Sequence, residues 1–294
     1  MDAPGDSARM PREVFERLLG ELRPKLHRYC ARMTGSVIDG EDVVQDALIK
    51  ALEAFDRQEV ASPEAWLFRI AHNAALDHLR RRARQETGTE VDPDMIVDPV
   101  TAEDRIAAAA SLHTFMRLPV AQRSSVILMD VLGYSLQEIG EVTAQSVPAI
   151  KAALNRGRTR LRELAQERDD RPLPRLDPQE RALLSAYIAH FNARDFDAVR
   201  DMLSEEVRLE LVNRRRLQGR EAANYFGNYA QATDWRFARG FVDRHPAILV
   251  YDPADPARPQ YFVLLRWAQN RLATIRDFRY ARYAIEGAEV IEME

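Results

Sequence analysis

Residues Leu118–Arg162 read LPVAQRSSVILMDVLGYSLQEIGEVTAQSVPAIKAALNRGRTRLR. Pro119 suits the first turn of a helix, where an N–H is not needed, and Gly133 suits the end of that helix because glycine accepts a positive φ. Ser135 and Glu138 have the spacing of a capping box, and Ser146 is a cap for the next helix. The stretch therefore predicts a helix-turn-helix.

The second helix of the predicted helix-turn-helix, which follows Ser146, carries only positive charge. Between Ser146 and Arg162 every charged residue is basic, whereas the whole chain has a net charge of −4. A local basic helix in an acidic chain predicts a polyanionic partner. Two interpretations are open from the residues alone: a recognition helix that lies in the major groove of DNA, and a solvated basic helix of an ordinary bundle.

Two further helices are predicted upstream. The segment Asp39–Phe55 is amphipathic, with Asp39 as the expected N-cap and acidic residues in its first turns. Its acidic face is either a solvated surface or a docking surface for a basic protein. The segment Ser62–Arg84 ends in the basic run RRRAR, which is either a DNA-binding surface or a helix end favoured by the helix dipole.

In this order the three segments resemble an extracytoplasmic-function (ECF) sigma factor of bacterial RNA polymerase, over roughly Arg12 to Ala165. The resemblance implies two all-α domains: sigma region two at residues 10–84 and the helix-turn-helix of sigma region four at residues 105–167. An acidic linker at residues 85–104 joins them, either as a flexible tether or as a segment threaded through the polymerase. The implied partners are core RNA polymerase, through its β′ clamp helices and β flap, and promoter DNA. Neither enzymatic activity nor a cofactor is implied.

The resemblance also assigns site residues. Expected core-polymerase contacts are Asp39, Glu41, Asp42, Gln45 and Asp46. Expected DNA contacts of region two, which would trap bases of the opened strand, are Asn73, Arg80, Arg81 and Arg84. On the same helix, Trp66 is expected in the core and Asp77 as an orienting partner of an arginine. Expected DNA contacts of region four are Ser146, Lys151, Asn155, Arg156 and Arg158. Of these, Lys151 and Asn155 suit base edges, whereas Arg156 and Arg158 suit phosphates.

A second break lies at residues 168–178, RDDRPLPRLDP, where three prolines argue against a continuous helix. The following residues, 179–291, place helices before strands, which predicts an α+β fold with a curved, cone-shaped sheet wrapped on helices. Strands are predicted at Val207–Val212, Trp235–Val242, Ala247–Tyr251, Tyr261–Trp267 and Leu272–Tyr283, and a helix at Glu221–Tyr229. This region resembles the SnoaL-like polyketide-cyclase family, which has the nuclear-transport-factor-two fold. The resemblance implies a domain that regulates the sigma core in cis.

A small-ligand pocket is one interpretation of the polar and aromatic residues of this third domain, and an ordinary core is the other. The residues in question are Tyr187, Phe191, Tyr225, Trp235, Trp267 and Asp277. For Asp277 an ion pair with Arg276 or Arg279 is expected. Two alternative functions remain open: a helix-turn-helix regulator that works without polymerase, and a cyclase- or isomerase-like enzyme controlled by the DNA-binding module.

Several classes of protein are disfavoured by the composition. The single cysteine, Cys30, excludes an intrachain disulfide, and no cysteine and histidine cluster has metal-ligand spacing. The amino-terminal sequence MDAPGDSARMPRE lacks the pattern of a signal peptide, and no apolar run reaches the length of a membrane span. We therefore expect a cytoplasmic protein with no membrane partner.

Overall fold

The computed structural model describes residues 10–57, 60–87, 107, 110–167 and 171–293. The chain divides into two compact units, Met1–Arg168 and Asp169–Glu294. The predicted acidic linker, residues 85–104, falls outside the described residues from residue 88 onward. Its first three residues, 85–87, belong to a helix.

The described part of the amino-terminal unit is helical. Its elements are α1 (Arg12–Thr34), α2 (Val37–Phe55), α3 (Pro63–Thr87), α4 (Leu112–Met116), α5 (Val120–Val126) continued by a π-helical turn (Ile127–Val131), α6 (Leu136–Thr143) and α7 (Val147–Gln166). The helix-turn-helix predicted from the sequence is α6, α7 and the turn between them. The predicted N-cap of α2 is wrong: Ser36, not Asp39, caps it, because the Ser36 hydroxyl accepts hydrogen bonds from the amides of Ile38 and Asp39.

A glycine lets α1 and α2 pack closely. A Cβ at Gly40 would lie 2.6 Å from both the Cα and the backbone nitrogen of Ala31, a separation that real side chains do not adopt. At the far ends of the same two helices, Phe15 of α1 stacks on Phe55 of α2 with ring centroids 3.9 Å apart. The absence of a side chain at Gly40 therefore fixes the spacing of the two helices that carry the predicted docking surface.

The helices of both predicted sigma regions share one apolar core. Phe68 of α3 packs against Tyr134, which precedes α6, with ring centroids 5.1 Å apart. Fully buried Leu128 and Ile139 belong to the same cluster as Leu26 of α1. Helices α1–α3 and helices α4–α7 are therefore packed against each other in one unit.

The carboxy-terminal unit combines helices with a sheet. Its described helices are α8 (Pro178–Asn192), α9 (Phe196–Asp201), α10 (Arg220–Tyr225), α11 (Gly227–Gln231) and a 3-10 turn (Arg282–Ile285). Its described strands are β1 (Leu203–Leu211), β2 (Arg215–Gln218), β3 (Arg236–Val242), β4 (His245–Tyr251), β5 (Tyr261–Ala268), β6 (Arg271–Asp277) and β7 (Val290–Glu292). They form one sheet in the order β2-β1-β6-β5-β4-β3-β7.

All neighbouring strands of this sheet are antiparallel except β1 and β6, which run parallel, with Leu209 opposite Ile275. Helix α8 packs on β3. The predicted α+β fold class of residues 179–291 is confirmed.

Three details of the carboxy-terminal prediction are wrong. The last long strand ends at Asp277 rather than Tyr283, because Ala281 N–H bonds to the carbonyl of Phe278 and turns the chain. The helix predicted at Glu221–Tyr229 is divided into α10 and α11. Strands β2 and β7 are missing from the prediction, since each is only three or four residues long.

Candidate functional site

The acidic surface of α2 lies beside the basic end of α3. Asp39 Oδ2 is 3.8 Å from His78 Nε2 and 3.7 Å from Arg82 Nη1, and Asp46 Oδ2 is 3.9 Å from Arg81 Nη2. The surface predicted to bind polymerase and the surface predicted to bind DNA are therefore neighbours.

The predicted docking residues of α2 differ in exposure. Asp42 and Asp46 are exposed, whereas Asp39 and Gln45 are half-buried. Glu41 is fully buried (0% exposed), and its Oε1 accepts a hydrogen bond of 3.1 Å from Arg23 Nε of α1. The prediction that Glu41 contacts polymerase is corrected by this burial, because its carboxylate faces α1 and holds two helices together.

An open cleft of about 450 Å³ lies between α2 and α3. It is lined by Asp46, Ile49, Lys50, Asp77, Arg81 and Arg84. Ile49 is 48% exposed in the middle of these charged groups. The cleft thus combines residues from the predicted polymerase set and the predicted DNA set around one apolar side chain.

The polar face of α3 is open to solvent at Asn73, Asp77 and Arg80. Arg80 Nη1 donates to Asp77 Oδ1 over 3.3 Å, which agrees with the predicted orienting role of Asp77. Trp66 is half-buried and lies 6.0 Å, between ring centroids, from Phe15. The predicted position of Trp66 at the core is therefore confirmed, while base contacts by Asn73 and Arg80 stay a prediction.

The caps predicted for the helix-turn-helix are confirmed. Ser135 and Glu138 form a complete capping box, and Ser146 Oγ accepts a hydrogen bond of 3.4 Å from the amide of Ala149. The two hydrogen bonds from Ser135 lower the pKa of the Glu138 carboxyl. The Ser146 hydroxyl therefore caps α7 in this structure, and a DNA contact by Ser146 stays a prediction.

The predicted DNA contacts of α7 fall into two groups. Lys151 is exposed, and Asn155 and Arg156 are half-buried. Arg158 instead donates from Nε to Oδ2 of Asp130 over 2.9 Å, and the Asp130 side chain is fully buried. The Arg158 guanidinium thus ties α7 to the π-helical turn, and a phosphate contact by the same half-buried side chain stays a prediction.

In the carboxy-terminal unit, Asp277 is buried at the end of β6. Its Oδ2 accepts a hydrogen bond of 2.6 Å from the Tyr229 hydroxyl, and its Oδ1 accepts one of 2.8 Å from the amide of Arg279. Burial raises the pKa of Asp277 despite these bonds. The expected ion pair of Asp277 is wrong, because Arg276 pairs with Glu210 at 2.9 Å and Arg279 pairs with Asp234 at 3.1 Å.

The aromatic residues proposed as a pocket pack on one another. Phe191 stacks on Phe237 at 4.3 Å and meets Trp235 edge-on at 5.2 Å, measured between ring centroids. Tyr187 lies between Phe191, at 5.4 Å, and Trp267, at 6.5 Å. Tyr225 shares a hydroxyl contact of 3.5 Å with Tyr280. These residues therefore form an aromatic cluster in the core of the unit. Ligand binding by the same residues stays a prediction.

Two segments of the amino-terminal unit match known protein families. The Sigma-70 region 2 family matches residues 18–85, and the Sigma-70, region 4 family matches residues 112–161. These two regions define a sigma factor of the sigma-70 class.

The chain is 32% identical over 154 residues to the ECF RNA polymerase sigma factor SigM of Mycobacterium tuberculosis, covering 52% of this chain and 78% of SigM. It is 30% identical over 220 residues to SigG of the same organism, covering 64% of this chain. The matched part spans 59% of the length of SigG. The chain belongs to the family of ECF RNA polymerase sigma factors.

A solved structure resembles the chain over most of its length. The crystal structure of the extracytoplasmic-function sigma factor SigJ of M. tuberculosis covers 89% of this chain and 95% of SigJ, at 20% identity and a TM-score of 0.37.

Within the described ranges, no helix is long and apolar enough to cross a membrane. The same residues contain no group of three or more histidine, cysteine or acidic side chains placed to hold a metal ion.

Proposed function

We propose that this protein binds core RNA polymerase, through the β′ clamp helices and the β flap, and directs it to specific promoters. The observation that carries the proposal is the juxtaposition of an acidic α2 and a basic α3 in a chain of the ECF family. Exposed Asp42 and Asp46 offer negative charge to a basic protein surface. Because the DNA template lies in the cytoplasm of a bacterium, we expect the protein to act there.

Promoter DNA is the second proposed partner. The exposed polar face of α3 presents an amide and arginines, which suit unstacked bases and the phosphates of an opened strand. Helix α7 presents Lys151 and, partly, Asn155 and Arg156 to duplex DNA. Arg158, which pairs with Asp130, and Ser146, which caps α7, complete the proposed DNA contacts of this helix.

For the carboxy-terminal unit we propose control of the sigma unit in cis, without catalysis. Its aromatic residues pack on one another, and the buried Asp277 accepts a hydrogen bond from Tyr229, which supports a structural role for these side chains. Binding of a small molecule is part of this proposal.

Promoter-dependent transcription with purified core polymerase tests the proposal. The full chain is compared with a chain that ends at residue 168, where the first compact unit ends. The templates are the DNA upstream of its own gene and a pool of genomic promoters. We expect specific transcripts, and the difference between the two chains gives the sign of the carboxy-terminal control.

The alternative functions make different predictions in the same assay. A polymerase-independent helix-turn-helix regulator binds duplex DNA but neither retains core polymerase in a pull-down nor supports initiation. Reversal of charge at Asp42 and Asp46 leaves that regulator active but abolishes polymerase binding by a sigma factor. If the chain converts a small substrate and a substitution of Asp277 abolishes this activity, the enzyme alternative is favoured instead.

A further inference from the structure

One half of the carboxy-terminal sheet, formed by β2, β1, β6 and β5, carries two neighbouring rows of mostly polar side chains. Both rows cross all four strands. Strand pairing defines the first row (Gln218, Arg208, Thr274 and Arg266) and the second row (Arg216, Glu210, Arg276 and Leu264). Side chains two residues apart on a strand point to the same face, so both rows lie on one face of the sheet. The intervening Leu209 and Ile275 are buried on the other face.

The two rows are positively charged in a chain that is acidic overall. They contain four arginines and one acidic residue, a net charge of 4 − 1 = +3, whereas the whole chain has a net charge of −4. Arg208, Arg216 and Arg266 are exposed. Because neighbouring strands lie about 4.8 Å apart, the sheet holds these guanidinium groups in a closely spaced array that is open to solvent.

The acidic residue of the second row orders the array without neutralising it. Glu210 Oε1 lies 3.1 Å from Arg216 Nη2, and Glu210 Oε2 lies 2.9 Å from Arg276 Nε. One carboxylate is therefore shared by two guanidinium groups on the neighbouring strands. The second row keeps a net charge of 2 − 1 = +1, and its cations have fixed positions on the sheet.

The hairpin that joins β1 to β2 adds cations beside the rows. Arg214 and Arg215 are exposed, and they follow Asn213, which has the positive φ of a tight turn (65°). The Arg214 guanidinium lies 4.3 Å from the centroid of the Tyr280 ring. Strand β2 is at the edge of the sheet, so positive charge continues from the sheet face to this edge.

The chemistry of the two rows distinguishes between possible partners. Closely spaced arginines suit a polyanion, because guanidinium groups donate hydrogen bonds to phosphate oxygens. A second copy of the chain is disfavoured, since a two-fold pairing would place the same arginines against one another. Proteins hold single-stranded nucleic acid by stacking its bases on aromatic rings, and the two rows contain no aromatic residue. The phosphate backbone of a duplex requires only the positive charge that the rows supply.

We propose that the two rows form a second DNA-binding surface, which contacts the phosphates of duplex DNA without reading the base sequence. The choice of DNA over RNA rests on the proposed function, in which promoter DNA is the partner of the amino-terminal unit. Each phosphate that an arginine neutralises releases counterions, so this surface adds an affinity that falls as the salt concentration rises.

The salt dependence of DNA binding tests this surface. The row variant, Arg208→Gln with Arg266→Gln, removes two exposed charges of the first row and leaves the second row intact. The control variant, Arg181→Gln with Arg258→Gln, removes two exposed arginines that lie outside both rows. Fluorescence anisotropy measures the affinity of each full-length chain for a labelled duplex without promoter sequence, at several concentrations of KCl. Thermal unfolding checks that both variants are folded.

We expect the plot of log affinity against log salt to be shallower for the row variant by about 1.8, because each phosphate contact contributes about 0.9 to the slope. Between about 50 and about 200 mM salt, the parent chain should therefore lose roughly twelvefold more affinity than the row variant does. The control variant should keep the slope of the parent chain. Equal slopes for the two double variants overturn the inference.

Cross-linking locates the contact while every arginine of the chain is kept. Gln218→Cys places a photo-activatable label in the first row, and Ala182→Cys places one on α8, at an exposed position outside the rows. The native Cys30 is fully buried, so the labels react with the introduced cysteines. The labelled full-length chains are irradiated with duplex DNA, single-stranded DNA or RNA of the same length.

We expect the label at position 218 to cross-link to duplex DNA and the label at position 182 to form no such product. Absence of the duplex cross-link from position 218, or a cross-link there only to single-stranded DNA or RNA, overturns the inference. Neither measurement contains polymerase. A chain that fails to bind core polymerase therefore overturns the proposed function by a separate result.

Discussion

Glu41 and Asp46 lie five residues apart on α2 but have opposite environments. Glu41 is buried against Arg23, and Asp46 is exposed at the rim of the α2–α3 cleft. The pattern of acidic residues on α2 cannot tell a buried structural carboxylate from an exposed docking residue. The burial of Glu41 depends on where α1 packs against α2, which the sequence of α2 alone does not specify.

We predict different effects for the two isosteric amides. Glu41→Gln removes the negative charge beside a buried arginine, so we expect a loss of about 3–5 kcal/mol in the free energy of unfolding. Asp46→Asn changes an exposed group, so its effect on stability stays within about 0.5 kcal/mol while polymerase binding weakens. Urea denaturation and a binding titration with core polymerase measure the two quantities. A Glu41→Gln variant as stable as the parent chain would contradict the structural role.

Asp277 gives a pH-dependent prediction. Burial raises its pKa in the folded state above the ordinary value of 3.8, so the folded unit binds the proton more tightly than the unfolded chain does. The associated stability is complete below pH 3.8 and is lost as the pH rises through the folded-state pKa, at a slope of at most about 1.4 kcal/mol per pH unit.

Asp277→Asn should remove this slope. Urea denaturation at a series of pH values, followed by the fluorescence of Trp235 and Trp267 in a Trp66→Phe background, measures it in the carboxy-terminal unit. We expect the variant to gain stability relative to the parent as the pH rises above 3.8. A stability difference that is independent of pH would show that Asp277 titrates in the folded unit as it does in the unfolded chain.

At the level of single helices, variants of Ser146 distinguish its role as the cap of α7 from a direct contact with DNA. Ser146→Ala removes the acceptor for the amide of Ala149, so we expect a loss of about 0.5–2 kcal/mol in stability. Ser146→Asn restores a capping acceptor and should recover most of it. Thermal unfolding and binding of promoter DNA are measured for both variants. Equal stability of the alanine and asparagine variants would contradict the role of Ser146 as a cap.

The caps of the helix-turn-helix were predictable because each interaction is local. The cap of α2 is equally local, but the prediction placed it at Asp39 instead of Ser36. The capping box joins Ser135 to Glu138, three residues away, and the cap of α7 is equally short-range. The contacts that the sequence could not predict are long-range. Tyr229 meets Asp277 across 48 residues, and Arg123 meets Met33 across 90. No periodicity within one helix or strand encodes such a pair, because its geometry follows from the packing of several elements.

For the whole molecule, the two compact units predict two unfolding events. Each has its own apolar interior, one around Phe15 and Phe68 and the other around Phe191 and Phe262. We expect calorimetry of the full chain to show two transitions, and chains of residues 1–168 and 171–294 to reproduce them separately. A chain of residues 1–168 that shows no cooperative transition would contradict the division. The unit 171–294 serves as the matched comparison.

The parallel pairing of β1 with β6 has a consequence for synthesis on the ribosome. Leu209 of β1 pairs with Ile275 of β6, which is 275 − 209 = 66 residues later, so β1 and β2 cannot join the rest of the sheet until β6 has been synthesised. The helices of the amino-terminal unit have by then left the exit tunnel, and helical contacts form faster than distant strand pairs. A newly synthesised chain therefore carries a folded sigma unit before its carboxy-terminal unit can fold, so any restraint imposed by that unit begins only after β6 has left the ribosome.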